Sequence, residues 1–319
     1  MTQPLQAVFL DQSSLNPTDL DFGPLEAVAN WQWFSQTSAD QVASRIEQAD
    51  IVACNKVILN KQQIVNAQRL KLIIVAATGV NNIDLDACRE QGIAVYNCQS
   101  YGNESVVQHS FALLFALANQ LTANHQAAIQ KWPNASQFCL LDHLPMQLAG
   151  KTFGLVGYGS LGKKAAQVAE ALGMKVIISA RKGQATSDGR VSFEQLLKQA
   201  DIISLHCPLT AETKDLFSLN EFKQMQAHAL LINTARGGIV NETDLVQALQ
   251  QGLIAGAASD VLTEEPPVNG NPLLEYRGAN LIVTPHMAWS SSQARQTIIE
   301  QLAQNIENFR HQNDLRRIC

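Results

Sequence analysis

Short apolar runs typical of strands alternate along this chain with segments whose apolar residues recur at helical spacing. The predicted strands are Ala7-Asp11, Trp31-Ser35, Ile51-Asn55, Leu72-Ala77, Ala94-Cys98, Thr152-Tyr158, Lys175-Ala180, Asp201-Cys207, Ala229-Ala235, Gly256-Val261 and Asn280-Thr284. The main predicted helices are Asp84-Gln91, Ser105-Leu121, Leu161-Leu172, Phe193-Gln199, Asn241-Gln251 and Ser292-Arg310. Repeated strand-helix-strand order predicts an α/β protein with doubly wound parallel sheets, and the strands are too many for one sheet. We therefore expect two domains.

Two segments do not fit a simple alternation. The predicted helix Ser105-Leu121 is apolar nearly all round, so we expect it to be buried between the domains. The stretch Lys131-Gly150 has two prolines, no clear periodicity, and large apolar residues that include Trp132 and Phe138. A segment of this kind is expected to lie either across a partner subunit or against its own domain.

Composition narrows the class of partner. The chain has 319 residues, 46% hydrophobic and 16% charged, and a formal net charge of -5 without blocks of like charge. This balance argues against a nucleic-acid or membrane-surface partner and favours a small molecule. The six cysteines form no CxxC pair and no metal-like spacing, so no metal site is predicted. With no signal-like segment at the start and no apolar run long enough to span a bilayer, we expect a cytoplasmic protein.

A glycine-rich turn follows the strand Thr152-Tyr158. In "VGYGSLG", Gly157 permits a tight turn, Gly159 lets the backbone approach a pyrophosphate, and Gly162 lets helix and strand pack closely. Because a helix begins directly after this turn, its N-terminus would hold the phosphates. The context predicts a dinucleotide site.

The acidic residue that usually binds the adenosine ribose, about 20 residues further on, is missing. The second strand of this unit ends in Ser179 and Ala180, and Arg181 and Lys182 follow it. A hydroxyl, a guanidinium and an ammonium suit a 2′-phosphate, so NADP is the preferred cofactor and NAD a possible one. The alternative is that Arg181 and Lys182 form only a solvated turn.

Three later patches carry residues suited to chemistry. Arg236 follows a strand and precedes two glycines, Asp260 and Glu265 follow the next strand, and His286 ends the last one. Ligands of open α/β folds bind at the carboxyl edge of the sheet, so these groups can converge there although they are distant in sequence. The other histidines in apolar surroundings, His109 and His206, are predicted to be structural.

Ordered motifs along nearly the whole chain resemble the D-isomer-specific 2-hydroxyacid dehydrogenase family, and within it the glycerate dehydrogenase and hydroxypyruvate/glyoxylate reductase branch. They are "VAATGVNNID", "SVVQHSFALLFAL", "LAGKTFGLVGYGSLG", "HCPLTAET", "INTARGGIVNETDLVQAL", "ASDVLTEEPP" and "TPHMAW". The resemblance implies that Arg236 holds the substrate, that His286 donates the proton, and that Glu265 is the acid beside it. It also implies a backbone cradle for the substrate carboxylate at Gly79, Val80 and Asn81. The implied cofactor contacts, beyond the glycine turn, are Thr78, Ser160, Leu161, Cys207, Pro208, Thr234, Ala235 and Asp260.

The chemistry of these residue types agrees with that assignment. Reduction of a 2-keto acid needs a hydride at the carbonyl carbon and a proton at its oxygen, and imidazole titrates near working pH. A carboxylate beside it favours the protonated form. Arg236 can pair with the anionic substrate and stabilise the charge that grows on the carbonyl oxygen.

The resemblance further implies a Rossmann-type nucleotide domain at 102-289 and a discontinuous flavodoxin-like substrate domain made of 1-101 and 290-319. The chain would cross between them near Ser100 and Trp289, which are natural hinges, and a homodimer is expected. The implied activity is reduction of hydroxypyruvate and glyoxylate to D-glycerate and glycolate. Another D-2-hydroxyacid dehydrogenase, acting on D-lactate or 3-phosphoglycerate, is the alternative within the class. A nucleotide-sensing, corepressor-like binding module is the alternative outside it.

Overall fold

The structure, a computed structural model, describes residues 5–187 and 189–319. The strands are β1 Gln6–Phe9, β2 Asn30–Trp33, β3 Ile51–Cys54, β4 Leu72–Val75, β5 Ala94–Tyr96, β6 Thr152–Val156, β7 Lys175–Ile178, β8 Ile202–Leu205, β9 Leu230–Asn233, β10 Gly256–Ser259 and β11 Leu281–Val283. The α-helices are α1 Gly23–Glu26, α2 Val42–Ile46, α3 Lys61–Asn66, α4 Leu85–Gln91, α5 Asn103–Ala118, α6 Leu121–Gln130, α7 Ser160–Ala171, α8 Phe193–Gln199, α9 Leu219–Phe222, α10 Glu242–Gln250, α11 Pro272–Glu275 and α12 Ser292–Arg310. All the predicted strands are found. Several end earlier than predicted, because buried residues such as Ala77 and Ala235 continue the apolar pattern past the last paired residue.

The chain divides into two compact units, Met1–Gly102 with Trp289–Cys319, and Asn103–Ala288. Each unit is built on one parallel sheet, which confirms the predicted fold class. The predicted assignment of 102–289 to the nucleotide and of 1–101 with 290–319 to the substrate stays a prediction. In the part of the chain that the structure describes, no helix is both long and apolar enough to cross a membrane.

The first unit has strand order β2-β1-β3-β4-β5, the order of flavodoxin-like sheets. Its inner strands are buried on both faces, as parallel strands wrapped by helices should be. In β3, Val52 and Cys54 enter one core and Ile51 and Ala53 the other, following the period of two along a strand. Helix α12 covers the second of these cores with an aliphatic row, Ile298, Leu302 and Ile306.

The second unit has strand order β7-β6-β8-β9-β10-β11. The chain leaves β6 for β7 on one side and then crosses to β8 on the other, so the sheet reverses its direction of winding between β6 and β8. In open α/β sheets such a reversal opens a crevice at the carboxyl ends of the strands. The glycine turn lies at this point.

Helix α5 packs against the sheet of the second unit. Phe111 stacks on Phe153 of β6 with ring centroids 5.6 Å apart, and Leu114 and Leu117 enter the same core. The predicted helix Ser105-Leu121 therefore exists, but it ends at Ala118. Gln120 adopts a left-handed conformation and a second helix, α6, follows, which the apolar pattern did not predict.

The segment after α6 forms one 3-10 turn, Trp132–Asn134, and then runs without helix or strand to β6. It is tied down by an ion pair between Lys131 and Asp142 at 2.6 Å and by a bond from the Trp132 indole to the carbonyl of Phe138. Several of its large apolar side chains nevertheless face outward, with Phe138 90% exposed, whereas Met146 and Leu148 pack against the core of the second unit. Leu141 and Leu144 are exposed as well.

Candidate active site

The candidate residues of the second unit follow the ends of neighbouring strands. The glycine turn follows β6, Cys207 follows β8, Arg236 follows β9, Asp260 follows β10 and His286 follows β11. Parallel strands end at the same edge of the sheet, so all these loops emerge on one side. This is the edge at which open α/β folds bind ligands.

The glycine turn leaves room for a phosphate group. A Cβ at Gly157 would lie 2.5 Å from the carbonyl carbon of His206, and a Cβ at Gly162 would lie 2.3 Å from the carbonyl oxygen of Gly157. Gly157 also has φ +98°, a conformation that favours glycine. Gly159, in contrast, faces open space beside the start of α7 at Ser160. Open backbone at a helix N-terminus fits the pyrophosphate of a dinucleotide.

His206 supports this turn from the neighbouring strand end. Its ring nitrogen Nε2 lies 2.9 Å from the hydroxyl of Ser204, which is 1% exposed. Burial lowers the pKa of His206 to about 4, so the ring is neutral at pH 7. Its packing against Gly157 and Gly162 suits a structural role.

The three polar side chains expected near the adenosine ribose have different environments. The hydroxyl of Ser179 is buried and donates to the carbonyl of Ala180 at 2.6 Å. Lys182 Nζ lies 2.8 Å from Oε1 of Glu221, a nearly buried carboxylate. Burial raises the pKa of Glu221, but the bonds it accepts, with that from Lys182 foremost, more than offset this and lower its pKa. Arg181 is exposed.

The other predicted cofactor positions of the second unit lie on the same edge, at Ser160, Leu161, Cys207, Pro208, Thr234 and Ala235. Thr234 is anchored to α5, with its hydroxyl oxygen 2.7 Å from that of Ser110. Ser110 donates its own proton to the carbonyl of Val106, so Thr234 is the donor of the pair. Burial raises the pKa of the Cys207 thiol.

Arg236 lies on a turn that Asn233 braces. The Asn233 side chain, 3% exposed, donates to the carbonyl of Arg236 at 3.1 Å and accepts from the amide of Ala235 at 3.1 Å. The Arg236 guanidinium is exposed and donates to the Ala235 carbonyl. The turn therefore presents a positive group at the edge of the sheet, and the side chain of Asn233 fixes its backbone.

Glu265 and His286 are in direct contact. Oε2 of Glu265 lies 2.5 Å from Nδ1 of His286, and Oε1 accepts the amide of Leu262 at 2.8 Å. With both carboxylate oxygens engaged, Glu265 is fixed relative to the ring. A carboxylate only accepts, so Nδ1 carries a proton and Nε2 is the nitrogen that can exchange one with a ligand.

Asp260 organises the turn that carries His286. Its carboxylate is 1% exposed and accepts the hydroxyl of Thr284 at 2.5 Å and the amides of Met287 and Ala288 at 3.0 and 2.8 Å. Its backbone carbonyl accepts the amide of His286 at 2.8 Å. His286 itself has φ +53°, which is uncommon for a residue with a side chain. The surrounding bonds hold it in this conformation.

Two contacts join the Arg236 turn and the helix after it to the Glu265 turn, and neither was predicted from the sequence. A Cβ on Gly237 would lie 1.8 Å from the carbonyl oxygen of Leu262, so the two turns touch at a position where only glycine fits. Glu242, in the first turn of α10, accepts the amide of Thr263 at 2.7 Å. In the sequence, the two glycines after Arg236 could have indicated the close approach at Gly237. The contact of Glu242 could not be predicted, because an acidic residue at a helix start is common.

The predicted carboxylate cradle lies in the first unit, on the loop after β4. Gly79 faces open space, and Thr78 and Asn81 are exposed. Asn97, which is buried, donates to the carbonyl of Thr78 at 2.7 Å, and Asn82 donates to the carbonyl of Val57 at 2.8 Å. The side-chain amides of Asn97 and Asn82 therefore fix the backbone of this loop, and neither residue was identified from the sequence.

Comparison with known proteins agrees with this geometry. Residues 111–288 match the family described as "D-isomer specific 2-hydroxyacid dehydrogenase, NAD binding domain". The chain is 41% identical to the glycerate dehydrogenase of Methylorubrum extorquens, over 95% of this chain and 96% of that one. It is 35% identical to the hydroxypyruvate reductase of Blautia hydrogenotrophica, over 96% and 97% of the two chains. An acyclic imino acid reductase, solved with NADPH and D-Arg, superposes with a TM-score of 0.85 at 29% identity, covering 99% of this chain and 100% of the other.

Proposed function

This chain belongs to the D-isomer specific 2-hydroxyacid dehydrogenase family, and we propose that it reduces small 2-keto acids, hydroxypyruvate and glyoxylate first, to D-glycerate and glycolate. It is an NAD(P)-dependent oxidoreductase. The observation that carries the proposed chemistry is the contact of Glu265 with His286 at the carboxyl edge of a sheet whose glycine turn leaves room for a dinucleotide. The similarity to a glycerate dehydrogenase and to a hydroxypyruvate reductase favours substrates of the glycerate branch over D-lactate or 3-phosphoglycerate.

His286 is the proposed proton donor. Its Nδ1–H is held by Glu265, and we assign the transfer of a proton to the keto oxygen to Nε2. Glu265 also fixes the tautomer and the orientation of the ring. A nicotinamide bound at this edge of the sheet would supply the hydride.

Arg236 is the proposed substrate clamp. Its exposed guanidinium can pair with the substrate carboxylate and stabilise negative charge on the carbonyl oxygen as the reaction proceeds. Gly79, Val80 and Asn81, in the first unit, are proposed to offer backbone N–H groups to a substrate carboxylate. Residues 102–289 are assigned to the nucleotide and residues 1–101 with 290–319 to the substrate. The match of 111–288 to an NAD binding domain supports the first assignment.

The cofactor is proposed to be NADP in preference to NAD. Arg181 supports this: it is exposed at the end of the second strand of the nucleotide unit, where an acidic residue would otherwise bind the ribose. Lys182 lies beside it but pairs with Glu221, so Arg181 carries the proposed preference.

Asp260 is also proposed to contact the cofactor. Its Oδ2 accepts the Ala288 amide, and a carboxylate oxygen can accept a second donor such as the carboxamide of a nicotinamide.

The enzyme is proposed to be a homodimer. The segment 131–150 exposes Trp132, Phe138, Leu141 and Leu144, and a patch of that kind is typical of a protein interface. The cytoplasmic location expected from the sequence stays a prediction.

A panel of 2-keto acids assayed with NADPH and NADH tests the proposed function, together with His286→Gln. We expect turnover of hydroxypyruvate at a few per second or more with the natural protein. The variant should lose roughly 10²- to 10⁴-fold in kcat while it still binds NADPH. A matched control is His228→Gln, since His228 also pairs with a carboxylate, Asp201, at 2.6 Å but at the amino edge of the same sheet. Full activity of His286→Gln would refute its role, and no turnover of any 2-keto acid would favour a binding module.

A further inference from the structure

We infer that His109, on helix α5, is a positioning residue for His286. It lies outside the reacting groups and acts through Thr284 and Asp260 on the turn that carries the imidazole. This inference rests on the proposed function of His286. The apolar surroundings of His109 in the sequence predict a structural role, and a positioning role adds a consequence for the reaction rate.

The hydrogen bonds run in one direction. The Thr284 hydroxyl donates to Asp260 Oδ1 at 2.5 Å, because a carboxylate only accepts. That hydroxyl has one proton, so its oxygen accepts from Nε2 of His109, 3.0 Å away. His109 therefore carries its proton on Nε2, with Asp260 Oδ1 3.5 Å beyond. The result is a chain from His109 through Thr284 to Asp260.

Asp260 connects this chain of hydrogen bonds to the turn that carries His286. The buried carboxylate also accepts the amides of Met287 and Ala288, the two residues that follow His286. A buried charge is tolerated only where donors surround it, so each donor that is lost costs stability in this turn. The φ of +53° at His286 is uncommon for a residue with a side chain, so the turn depends on these bonds to keep the ring in place.

Helix α5 holds the turn at both ends. His109 binds Thr284 at its start, and the hydroxyl of Ser105 donates to the carbonyl of Ala288 at its end, at 2.6 Å. Residues four apart lie on the same face of a helix, so one helix face spans the turn. The His109 side chain is 18% exposed, and the hydrophobic packing of α5 on the sheet makes that face a rigid support.

Matched variants test the geometry. Glutamine places its amide nitrogen near the position of the histidine Nε2, whereas asparagine is too short to reach Thr284. We expect His109→Gln to retain most of the activity. His109→Asn should lower kcat about tenfold, with the dissociation constant of NADPH changed less than twofold. Thr284→Ser should behave like the natural protein, and Thr284→Val like His109→Asn.

The double variant His109→Asn/Thr284→Val should lose no more activity than either single variant, because both remove the same chain of bonds. A merely structural role predicts the opposite pattern: a lower melting temperature, with kcat at 25 °C unchanged and additive effects. Should His109→Asn fail to fold, the comparison of Thr284→Ser with Thr284→Val still decides the matter.

A spectroscopic measurement separates this inference from the proposed function. In protein labelled with ¹⁵N-histidine, the proton on Nδ1 of His286 reports its bond to Glu265 whether or not the protein turns over a keto acid. The natural protein and His109→Gln should share one sharp resonance, and His109→Asn and Thr284→Val should broaden it or shift it upfield. If that resonance and kcat are both unchanged in His109→Asn, the inference is wrong even where His286→Gln is inactive. If keto acids are not reduced but the resonance shifts as expected, the proposed function fails and the positioning role stands.

Discussion

Glu265 Oε2 and His286 Nδ1 lie 2.5 Å apart although the two residues are separated by 21 positions in the chain. Each follows a strand of the same parallel sheet, β10 for Glu265 and β11 for His286, and these strands are neighbours. The Leu262 amide holds the second carboxylate oxygen, so the orientation of Glu265 is fixed independently of the ring. The sheet thus brings the two residues together, and the backbone amide of Leu262 fixes the orientation of the carboxylate.

Replacing Glu265 by glutamine should slow keto-acid reduction. A carboxamide is a weaker acceptor for the Nδ1–H of His286 than a carboxylate, so the tautomer and orientation of the ring are held less firmly. We expect kcat at neutral pH to fall about 10- to 100-fold, which is less than the roughly 10²- to 10⁴-fold contribution of a general acid itself. The measurement is kcat with saturating NADPH and hydroxypyruvate.

Glu264→Gln is the control for this change. Glu264 is exposed, accepts from Asn269 at 2.7 Å, and loses the same charge one residue away. An unchanged kcat in Glu265→Gln would show that the carboxylate does not position the acid.

Much of this arrangement follows from the sequence, for identifiable reasons. Apolar runs precede both Arg236 and His286, so the ends of these two strands were predictable from the pattern alone. The two candidate catalytic residues follow directly after those ends. The glycine turn was predictable because its spacing depends on backbone sterics, which a Cβ at Gly157 or Gly162 would violate.

The parts that could not be predicted depend on contacts between distant residues. Glu221 pairs with Lys182, and nothing in the local pattern of either residue indicates the other. Helix α6 was missed because its apolar residues form no clear stripe. The bond from His109 to Thr284 was also hidden, since a histidine in an apolar helix is most often part of the core.

Arg181→Ala should raise the KM for NADPH at least tenfold and leave that for NADH nearly unchanged. The guanidinium would pair with the 2′-phosphate that only NADPH carries. Steady-state assays with both nicotinamides measure the ratio. An unchanged ratio in Arg181→Ala would mean that this arginine is part of a solvated turn.

Lys182→Ala, the neighbouring control, should keep the cofactor ratio and lower stability instead. It leaves the carboxylate of Glu221 without its cation, which should cost about 1–2 kcal/mol of unfolding free energy. A large change in the ratio of the KM values for NADPH and NADH in this variant would show that Lys182 contacts the 2′-phosphate.

The free energy of unfolding should fall as pH is lowered from about 6.5 to about 4. The pKa of His206 is lowered by burial to about 4, whereas the unfolded chain binds a proton with the ordinary pKa of 6.5. Between these values the unfolded state holds more protons than the folded state, so acid favours unfolding, and below about pH 4 both states are protonated. Between pH 7 and pH 5 the loss from this group is at most about 2 kcal/mol.

Urea unfolding at pH 7 and pH 5 measures this loss, with His206→Asn as the variant that cannot titrate. The difference between the two pH values should shrink by most of that amount in His206→Asn. His228→Asn is a suitable control because His228 is exposed and lies at the opposite edge of the sheet. An equal pH dependence for the natural protein and His206→Asn would show that His206 is protonated as easily in the folded state.

Phe138→Ser combined with Leu141→Ser should dissociate the proposed homodimer. These side chains are 90% and 67% exposed in the single chain, and apolar surface of that extent is stabilised by burial against a partner at roughly 25 cal/mol per Å². Sedimentation equilibrium should give a dimer for the natural protein and a dissociation constant raised at least 100-fold for the double variant. Val268→Ser removes an aliphatic side chain that is 76% exposed on another loop and should leave the dimer intact. A natural protein that sediments as a monomer would remove the homodimer, and the outward-facing segment would then need a different partner.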